Sequence, residues 1–248
     1  MYNHQKVPAY GFFNDRYRDF VRGSQWNNKP GYAFNQEASL YDLFHLICGS
    51  CTDYYKFKNP HQTINYVECH DNYTFFDYGT TFLKKEESEV IQACKVALQL
   101  VLISQGVPFI HSGQEFFRTK MGIENSYKSS DVYNRIDYGR RDKYKKNVVA
   151  IKDLIEIRKQ YSDLRMNDPK DISQRIHLLE GLSDFHLATI EIDGKEGKLY
   201  LIIKNDEIVK SITLTNTILI FDSNTKCNNY GNIYSLKDPG VYIFKENK

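Results

Sequence analysis

The sequence has little that would direct the chain to a membrane or to a nucleic acid. Among its 248 residues, no apolar run approaches the roughly 20 residues that span a bilayer. The N-terminal segment 1–10 lacks the apolar core of a signal peptide, so we expect no secretory leader. The net charge is +2, and acidic and basic residues are interspersed. We therefore expect neither a membrane nor a nucleic acid as a partner.

Cysteine is also scarce. Five Cys, an odd number at wide spacing, are typical of a reduced, cytoplasmic protein rather than of a disulfide framework. Cys48 and Cys51 form a lone C-x-x-C without the further ligands of a zinc site, so we interpret them as small buried thiols. Cys69 is predicted to be a core thiol in the same way. We expect no cofactor and no metal ion.

Aromatic residues, in contrast, are abundant, with 19 Tyr and 15 Phe. Rings suit sugar binding because the apolar face of a pyranose packs against them, although a well-filled core also uses them. With 41% hydrophobic and 26% charged residues, the composition is that of a globular protein. The length allows one barrel or two smaller domains.

The first half of the chain alternates short apolar runs with amphipathic segments. This alternation predicts a parallel sheet that is covered by helices on both faces. The predicted strands are 7–13, 64–69 and 107–110, and the predicted helices are 15–23, 40–50, 84–105 and 147–161. Asn14 is predicted to form an Asx turn or a helix cap, and Ser39 is predicted as a helix cap. The polar segment 115–146 is predicted to be a long loop.

After about Leu164 the hydrophobic period changes to two. Turn residues such as Asp193-Gly194 separate the alternating segments. We expect a small antiparallel β-domain here, in the form of a sandwich. The predicted strands are 185–192, 198–204, 211–214, 217–221 and 240–244.

Polar, titratable residues follow two of the predicted parallel strands. The run INYVEC ends in His70-Asp71-Asn72, and the run VPFI ends in His111 and the QEF segment. Barrel enzymes keep their active sites at the C-terminal ends of their strands. The His-Asp pair alone also fits a structural ion pair or a metal-binding phosphohydrolase, but the latter sites lie on an all-α fold and this pair follows a β-run.

Four long segments closely resemble type I pullulanases, which are debranching enzymes of the α-amylase superfamily (glycoside hydrolase family 13). The segments are GFFNDRYRDFVRGS (11–24), QTINYVECHDNYTFFD (62–77), LISQGVPFIHSGQEFFRTK (102–120) and ENSYKSSDVYNRIDY (124–138). They occur in family order over about residues 7–160. The resemblance implies that residues 1–163 hold strands six to eight of a (β/α)8 TIM barrel. Residues 164–248 would form the C-terminal β-sandwich domain.

The same resemblance implies roles for individual residues. Asp71 would be the carboxylate that stabilises the oxocarbenium-like transition state, because a nearby anion favours a flattened, positively charged sugar ring. His70 would hydrogen-bond the same sugar. Residues that would line or support the substrate cleft are Asn72, Glu115, Arg118, Asn125 and Tyr127. Tyr138 stands where the family commonly has Trp.

Two of these assignments have plainer alternatives. Glu115 also fits a buried polar pair with Gln114 that supports the last loop of a barrel. Asn125 to Tyr127 also fit an ordinary turn. Both alternatives stay open at this point.

The carboxylates that would cleave the bond are missing from the sequence. A retaining glycosidase needs a nucleophile and a general acid about 5 Å apart, which the family carries in F-R-F-D-like and Y-G-E-G-W-like segments. Neither segment occurs in this chain. We therefore expect the C-terminal part of a pullulanase, produced by cutting, by proteolysis or from an interrupted gene, that is inactive alone.

The expected function is a share in cleaving α-1,6 linkages of pullulan, glycogen or limit dextrin. The alternatives are a non-catalytic α-glucan-binding or structural module, or one half of a two-chain enzyme. The expected partners are an α-glucan and either the missing N-terminal barrel portion or a second copy of the chain, since open strand edges favour association.

Overall fold

A computed structural model of the chain describes residues 6, 7, 9–26, 28–52, 57–224 and 227–247. Within these residues the strands form one parallel sheet, two antiparallel sheets and a two-stranded hairpin. The helices of the described part are all too short or too polar to cross a membrane. Helices and both parallel and antiparallel sheets thus occur in the same chain.

The first half of the chain contributes the parallel sheet that positions the candidate site. The first half of the chain has five strands: β1 (Phe12–Phe13), β2 (Gly23–Ser24), β3 (Lys29–Pro30), β4 (Thr63–Asn65) and β5 (Val107–Pro108). Strands β1, β4 and β5 pair in that order and in parallel, with Phe12 opposite Thr63 and Ile64 opposite Val107. Strands β2 and β3 form the antiparallel hairpin. The parallel pairing agrees with the prediction.

The three parallel strands are shorter than the sequence predicts. They contain two or three residues each, although Pro8 in the first prediction lies outside the described residues. Strand β4 ends at Asn65, whose side-chain Nδ2–H donates to the Gln105 carbonyl at 2.8 Å. Glu68 then turns back and accepts the Phe75 N–H at 2.5 Å. Between β4 and the His-Asp pair, hydrogen bonds from side chains to the backbone therefore take the place of hydrogen bonds between strands.

The predicted helices of the first half are present with boundaries shifted by a few residues. They are α1 (Asp15–Val21), α2 (Leu40–Ile47) and α4 (Glu87–Ile103), with the short α3 (Phe75–Asp77) before the last of these. Both predicted caps are confirmed, because Asn14 accepts the Tyr17 N–H and Ser39 accepts the Asp42 N–H. A π-helical turn, Tyr78–Phe82, follows α3 directly.

Helix α4 contributes many of its residues to the main hydrophobic core. The apolar residues of α4 at helical period are buried, namely 90, 93, 94, 97, 98, 101 and 102. Four residues outside this stripe are buried as well: Val96, Gln99, Leu100 and Ile103. The buried Gln99 Oε1 accepts the Val241 N–H at 2.8 Å, which connects the helix to the C-terminal region. A helix that is buried on all sides in its second half loses the one-sided pattern of a surface helix.

The predicted loop over 115–146 is partly helical. It contains α5 (Asp131–Asn134) and α6 (Tyr138–Lys143), and α7 (Lys145–Gln160) begins two residues earlier than predicted. Asp137 caps α6 by accepting the Gly139 N–H at 2.9 Å. Neither α5 nor α6 buries a residue, so no apolar period marks them in the sequence.

A buried arginine joins the ends of α4 and α7. Arg158 is 7% exposed, and its guanidinium donates to the carbonyls of Leu102, Ser104, Gly106 and Leu164 at 2.7 to 2.9 Å. Burial lowers the pKa of Arg158 to about 10. The helix ends keep their carbonyl groups satisfied although water is excluded.

The C-terminal region is antiparallel. It begins with α8 (Pro169–Arg175), and its strands are β6 (Ile176–Leu178), β7 (Leu187–Ile192), β8 (Leu199–Lys204), β9 (Lys210–Thr213), β10 (Thr217–Asp222), β11 (Asn228–Tyr230), β12 (Ile233–Leu236) and β13 (Gly240–Glu246). The two sheets have the orders β10-β13-β8-β7-β6 and β11-β12-β9. The five predicted strands are confirmed within two residues, whereas α8, β6, β11 and β12 were not predicted.

Side chains from both antiparallel sheets share one hydrophobic cluster, which includes Leu187, Ile202, Ile212, Tyr234 and Phe244. The opposite faces of β7, β8 and β13 belong to the main core, together with residues of α4. The main core therefore takes residues from both sides of position 163. The domain boundary between residues 163 and 164 stays a prediction.

Cys48 is buried as predicted, whereas Cys51 is only half-buried and packs against the edge of the main core. The Cys51 Sγ donates to the Cys48 carbonyl at 3.3 Å. Burial raises the pKa of Cys51 to about 12. All five cysteines are unpaired.

Candidate active site

The His70-Asp71 pair lies on an exposed turn. His70 Nε2 and Asp71 Oδ1 are 3.3 Å apart, and the two side chains are 83% and 66% exposed. Asn72, the next residue, has the left-handed backbone (φ 59°), a conformation that Asn tolerates in turns. The turn presents both titratable groups to solvent, where a ligand can reach them. It begins five residues after the end of β4, not directly at the strand tip as the sequence predicts.

A buried ammonium holds this turn from behind. Lys120 is 2% exposed, and its Nζ donates to the carbonyls of His70 at 3.3 Å, of Glu124 at 2.8 Å and of Asn72. Burial lowers the pKa of Lys120. The three N–H groups match three carbonyls, so the charge is satisfied without water. Lys120 thereby ties the His-Asp turn to the loop that carries Asn125.

A buried carboxylate fixes the segment that carries Lys120. Asp77 is 1% exposed, and it accepts the Lys120 N–H at 2.6 Å, the Gly122 N–H at 3.2 Å and the Thr119 hydroxyl at 2.5 Å. Its own N–H donates to Thr74, the cap of α3. A carboxylate with several donors is a strong anchor in a buried environment. Asp77 therefore supports the position of Lys120.

A second buried carboxylate, that of Glu68, is connected to Arg118 through His111. Glu68 Oε1 lies 2.9 Å from His111 Nδ1, and His111 Nε2 lies 3.1 Å from the Arg118 Nη1. Because a carboxylate accepts and a guanidinium donates, the His111 Nδ1 carries the proton and its Nε2 accepts. Arg118 also donates to the Asn134 carbonyl at 2.6 Å. Arg118 thus braces two loops of the site within the protein.

The structure brings together four of the predicted site residues: His70, Asp71, Asn72 and Asn125. The contact between the two segments is direct, because the Asn72 N–H donates to the Asn125 Oδ1 at 3.3 Å.

Glu115 and Tyr127 are not joined to this group. In the described part of the chain, no hydrogen bond or ion pair links Glu115 or Tyr127 to His70 or Asp71. The Glu115 side chain is half-buried, and Tyr127 is 78% exposed. The substrate-binding roles of Glu115, Arg118 and Tyr127 stay predictions.

Cys69 adjoins the pair, and its prediction as a core thiol is wrong. The residue is half-buried and does not belong to the main hydrophobic core. Ligand atoms of Cys69, His70 and Asp71 lie within 4.8 Å of one another. Burial raises the pKa of the Cys69 thiol, which opposes the thiolate form that binds metals.

Lys120, Asp77 and Glu68 were missed from the sequence. The segment QEFFRTK contains Lys120, and a lysine that follows an apolar strand and a polar turn is a weak sign of a buried role. Asp77 stands three residues after Thr74, which is the spacing of a helix cap. Neither signal indicates that these residues hold the His-Asp turn.

Comparison with known proteins finds pullulanases among the relatives of this chain. The chain is 42% identical to the pullulanase of Bacillus subtilis (strain 168) over 184 residues, which are 71% of this chain and 25% of that protein. The chain therefore spans about a quarter of the length of this relative. No protein-family model matches the chain.

Solved structures of similar proteins cover nearly the whole chain. The pullulanase of Anoxybacillus sp. LM18-11 complexed with maltotriose matches with a TM-score of 0.90 at 29% identity. The match covers 98% of this chain and 35% of the Anoxybacillus chain. Pullulanase type I from Bacillus subtilis str. 168 complexed with maltose matches with a TM-score of 0.89 at 33% identity. The match covers 99% of this chain and 36% of the Bacillus chain.

Proposed function

The chain belongs to the pullulanase-like enzymes of glycoside hydrolase family 13 and corresponds to a C-terminal region of one, and on this basis we propose that it forms part of a debranching active site. The reaction is hydrolysis of α-1,6 linkages in α-glucans such as pullulan, glycogen or limit dextrin, with retention. Asp71 stabilises the oxocarbenium-like transition state, and His70 hydrogen-bonds the same sugar. The chain alone is inactive because it lacks the nucleophile and the general acid.

The observation that carries this proposal is the exposed His70-Asp71 pair on a turn fixed by Lys120. A carboxylate stabilises a developing cation best when it is already in place, because no reorganisation is then needed during the reaction. Asp71 is exposed and its main chain is held on both sides. This combination of an accessible anion and a rigid support suits a catalytic role better than a structural one.

We also propose that β1, β4 and β5 are the last three strands of a (β/α)8 barrel. Both β1 and β5 pair on one side only within the described residues, and three strands are too few to close a barrel. The two antiparallel sheets, which share a hydrophobic cluster, form the proposed C-terminal sandwich. The remaining strands come from the rest of the enzyme or are replaced by contacts with a second copy.

The proposed ligand is an α-glucan. Support comes from the similar structures, which are pullulanases complexed with maltotriose and with maltose. The proposed cytoplasmic location has its support in the five unpaired cysteines.

The test is release of reducing sugar from pullulan by the purified chain, alone and mixed with a polypeptide that supplies strands one to five of a matching barrel. We expect activity only in the mixture. Asp71→Asn in the mixture should lower kcat by about 10³-fold and change KM by less than about tenfold, because a pre-organised electrostatic group is removed while most sugar contacts remain.

Other results would lead to different conclusions. Activity of the chain alone would show that the nucleophile and the acid lie within it. A mixture with normal kcat for Asp71→Asn would refute the role of that carboxylate. A mixture that is silent but binds maltooligosaccharides would favour a non-catalytic glucan-binding module.

A further inference from the structure

The turn that carries the His-Asp pair also carries a sulfur atom, and the three side chains form a compact set of metal ligands. Ligand atoms of Cys69, His70 and Asp71 lie within 4.8 Å of one another. Within the described part of the chain, no other three His, Cys, Asp or Glu side chains bring their ligand atoms so close together. Thiolate sulfur, imidazole nitrogen and carboxylate oxygen are the donors with which proteins bind zinc.

Two of these donors already have the spacing of zinc ligands. His70 Nε2 and Asp71 Oδ1 are 3.3 Å apart. Bonds of about 2.0 to 2.1 Å at a tetrahedral angle place two such ligand atoms about 3.3 Å from each other. A zinc–sulfur bond of about 2.3 Å requires the Cys69 Sγ to lie about 3.6 Å from each of them. A shift of about 1 Å at most therefore brings the sulfur into place.

The turn holds the donors in place before any ion arrives. The Asp71 N–H donates to the Cys69 sulfur, and Lys120 holds the carbonyls of His70 and Asn72. A site that is fixed in advance loses little conformational freedom on binding. The His70 and Asp71 side chains are exposed, so an ion can reach them from solvent. Their own ion pair contributes little at such exposure, so zinc displaces it at low cost.

We propose that Cys69, His70 and Asp71 form a zinc-binding site on the proposed catalytic turn. Zn²⁺ accepts sulfur, nitrogen and oxygen ligands, whereas Ca²⁺ and Mg²⁺ prefer oxygen alone. Three protein ligands leave the fourth position open for water. No metal ion is expected from the sequence, which predicts Cys69 in the core; its half-buried position is what makes the sulfur available.

Binding requires the thiol to lose its proton. Burial raises the pKa of Cys69, so the free sulfur carries a proton. As the zinc–sulfur bond forms, the S–H bond breaks and the proton passes to the buffer, because the cation stabilises the thiolate. One proton is released for each zinc ion bound, and this release makes the affinity lower than that of a thiol that is already ionised.

Zinc at this site conflicts with the proposed catalytic role. A carboxylate that coordinates Zn²⁺ is not free to stabilise a developing sugar cation, and the His70 imidazole is occupied as well. We therefore expect zinc to inhibit the active mixture of this chain with the barrel polypeptide. This consequence rests on the proposed function, whereas zinc binding itself does not.

The test is calorimetric titration of the intact chain with zinc. The tightest equivalent should shift the ring signals of His70 in NMR spectra. Co²⁺ in place of Zn²⁺ should give the near-ultraviolet absorption of a metal–thiolate bond. Cys69→Ser should abolish this absorption and weaken zinc binding by about tenfold or more, since even the loss of an outer partner of a metal ligand costs about that much.

The matched control is Cys227→Ser, which removes another half-buried thiol and should leave the zinc affinity unchanged. Equal zinc binding by Cys69→Ser, or a cobalt complex without the thiolate absorption, would overturn the site. Competition by Ca²⁺ at similar concentration would reduce the binding to that of an exposed carboxylate and overturn it as well. Zinc that binds as expected but leaves the mixture fully active would keep the site and refute the catalytic roles of His70 and Asp71.

Discussion

At the scale of single residues, Lys120 has the most connected position in the candidate site. It is buried, and its three N–H groups hold carbonyls of two separate loops. Lys120→Met should lower the free energy of unfolding by about 2 kcal/mol or more, because carbonyls that lose a charged donor remain buried. It should also speed amide hydrogen exchange at Asn72 and Asn125. Urea unfolding and exchange measured by NMR would check both effects.

Lys152→Met is the control for this variant, because Lys152 is an exposed residue of α7. Its stability should change by less than about 0.5 kcal/mol. Equal stability loss in both variants, or unchanged exchange at Asn72 in Lys120→Met, would refute the supporting role of Lys120.

The residues of the site differ in how far the sequence reveals them. His70 and Asp71 follow directly after an apolar run, so their pattern is local and visible. Lys120 and Asp77 act across 43 to 50 positions of sequence, and no local pattern encodes such contacts. Cys69 was misjudged as well, since the apolar run before it predicts a core position and the structure leaves it half-buried.

At the scale of elements, Arg158 joins the end of α4 to α7 through four carbonyl groups. Arg158→Met keeps the apolar length of the side chain but removes every donor. We expect the free energy of unfolding to fall by about 3 kcal/mol, because buried carbonyls at helix ends lose their partners. Chemical denaturation with unchanged slope would measure this loss.

The neighbouring Lys159→Met is the control for Arg158→Met. Lys159 pairs with Glu156 at 2.8 Å, but both side chains are about two-thirds exposed. Exposed pairs contribute little, so this variant should lose less than about 1 kcal/mol. If Arg158→Met were as stable as Lys159→Met, the proposed link between the two helices would be wrong.

The elements that the sequence predicts are those with a clear period. Helix α7 and strands β7, β8 and β13 bury long apolar faces, and their positions were predicted closely. Short elements such as α5 and α6 bury nothing, so they leave no pattern. The parallel strands were predicted too long because apolar residues continue beyond the point at which Asn65 and Glu68 redirect the chain.

At the scale of the whole molecule, the open edges of the parallel sheet determine how the chain behaves alone. Among the residues that the structure describes, strands β1 and β5 form these edges, and Phe13 and Val107 on them are 47% and 40% exposed. Unpaired strand edges with exposed apolar side chains favour pairing with another chain. We expect the purified chain to associate, with a mass by light scattering that rises above 29.1 kDa as concentration increases.

A charge at the sheet edge should reverse this association. Val107→Lys places an ammonium beside the open face of β5, and strand edges that carry lysine resist pairing because the charge would lose its water. Val149→Lys is the matched control, since Val149 is 47% exposed on α7 and not on the sheet. If only Val107→Lys shifts the mass toward the monomer, the sheet edge is the contact surface. A parent chain that stays monomeric at all concentrations would show that the edges are protected, and would leave the rest of the barrel as their sole proposed partner.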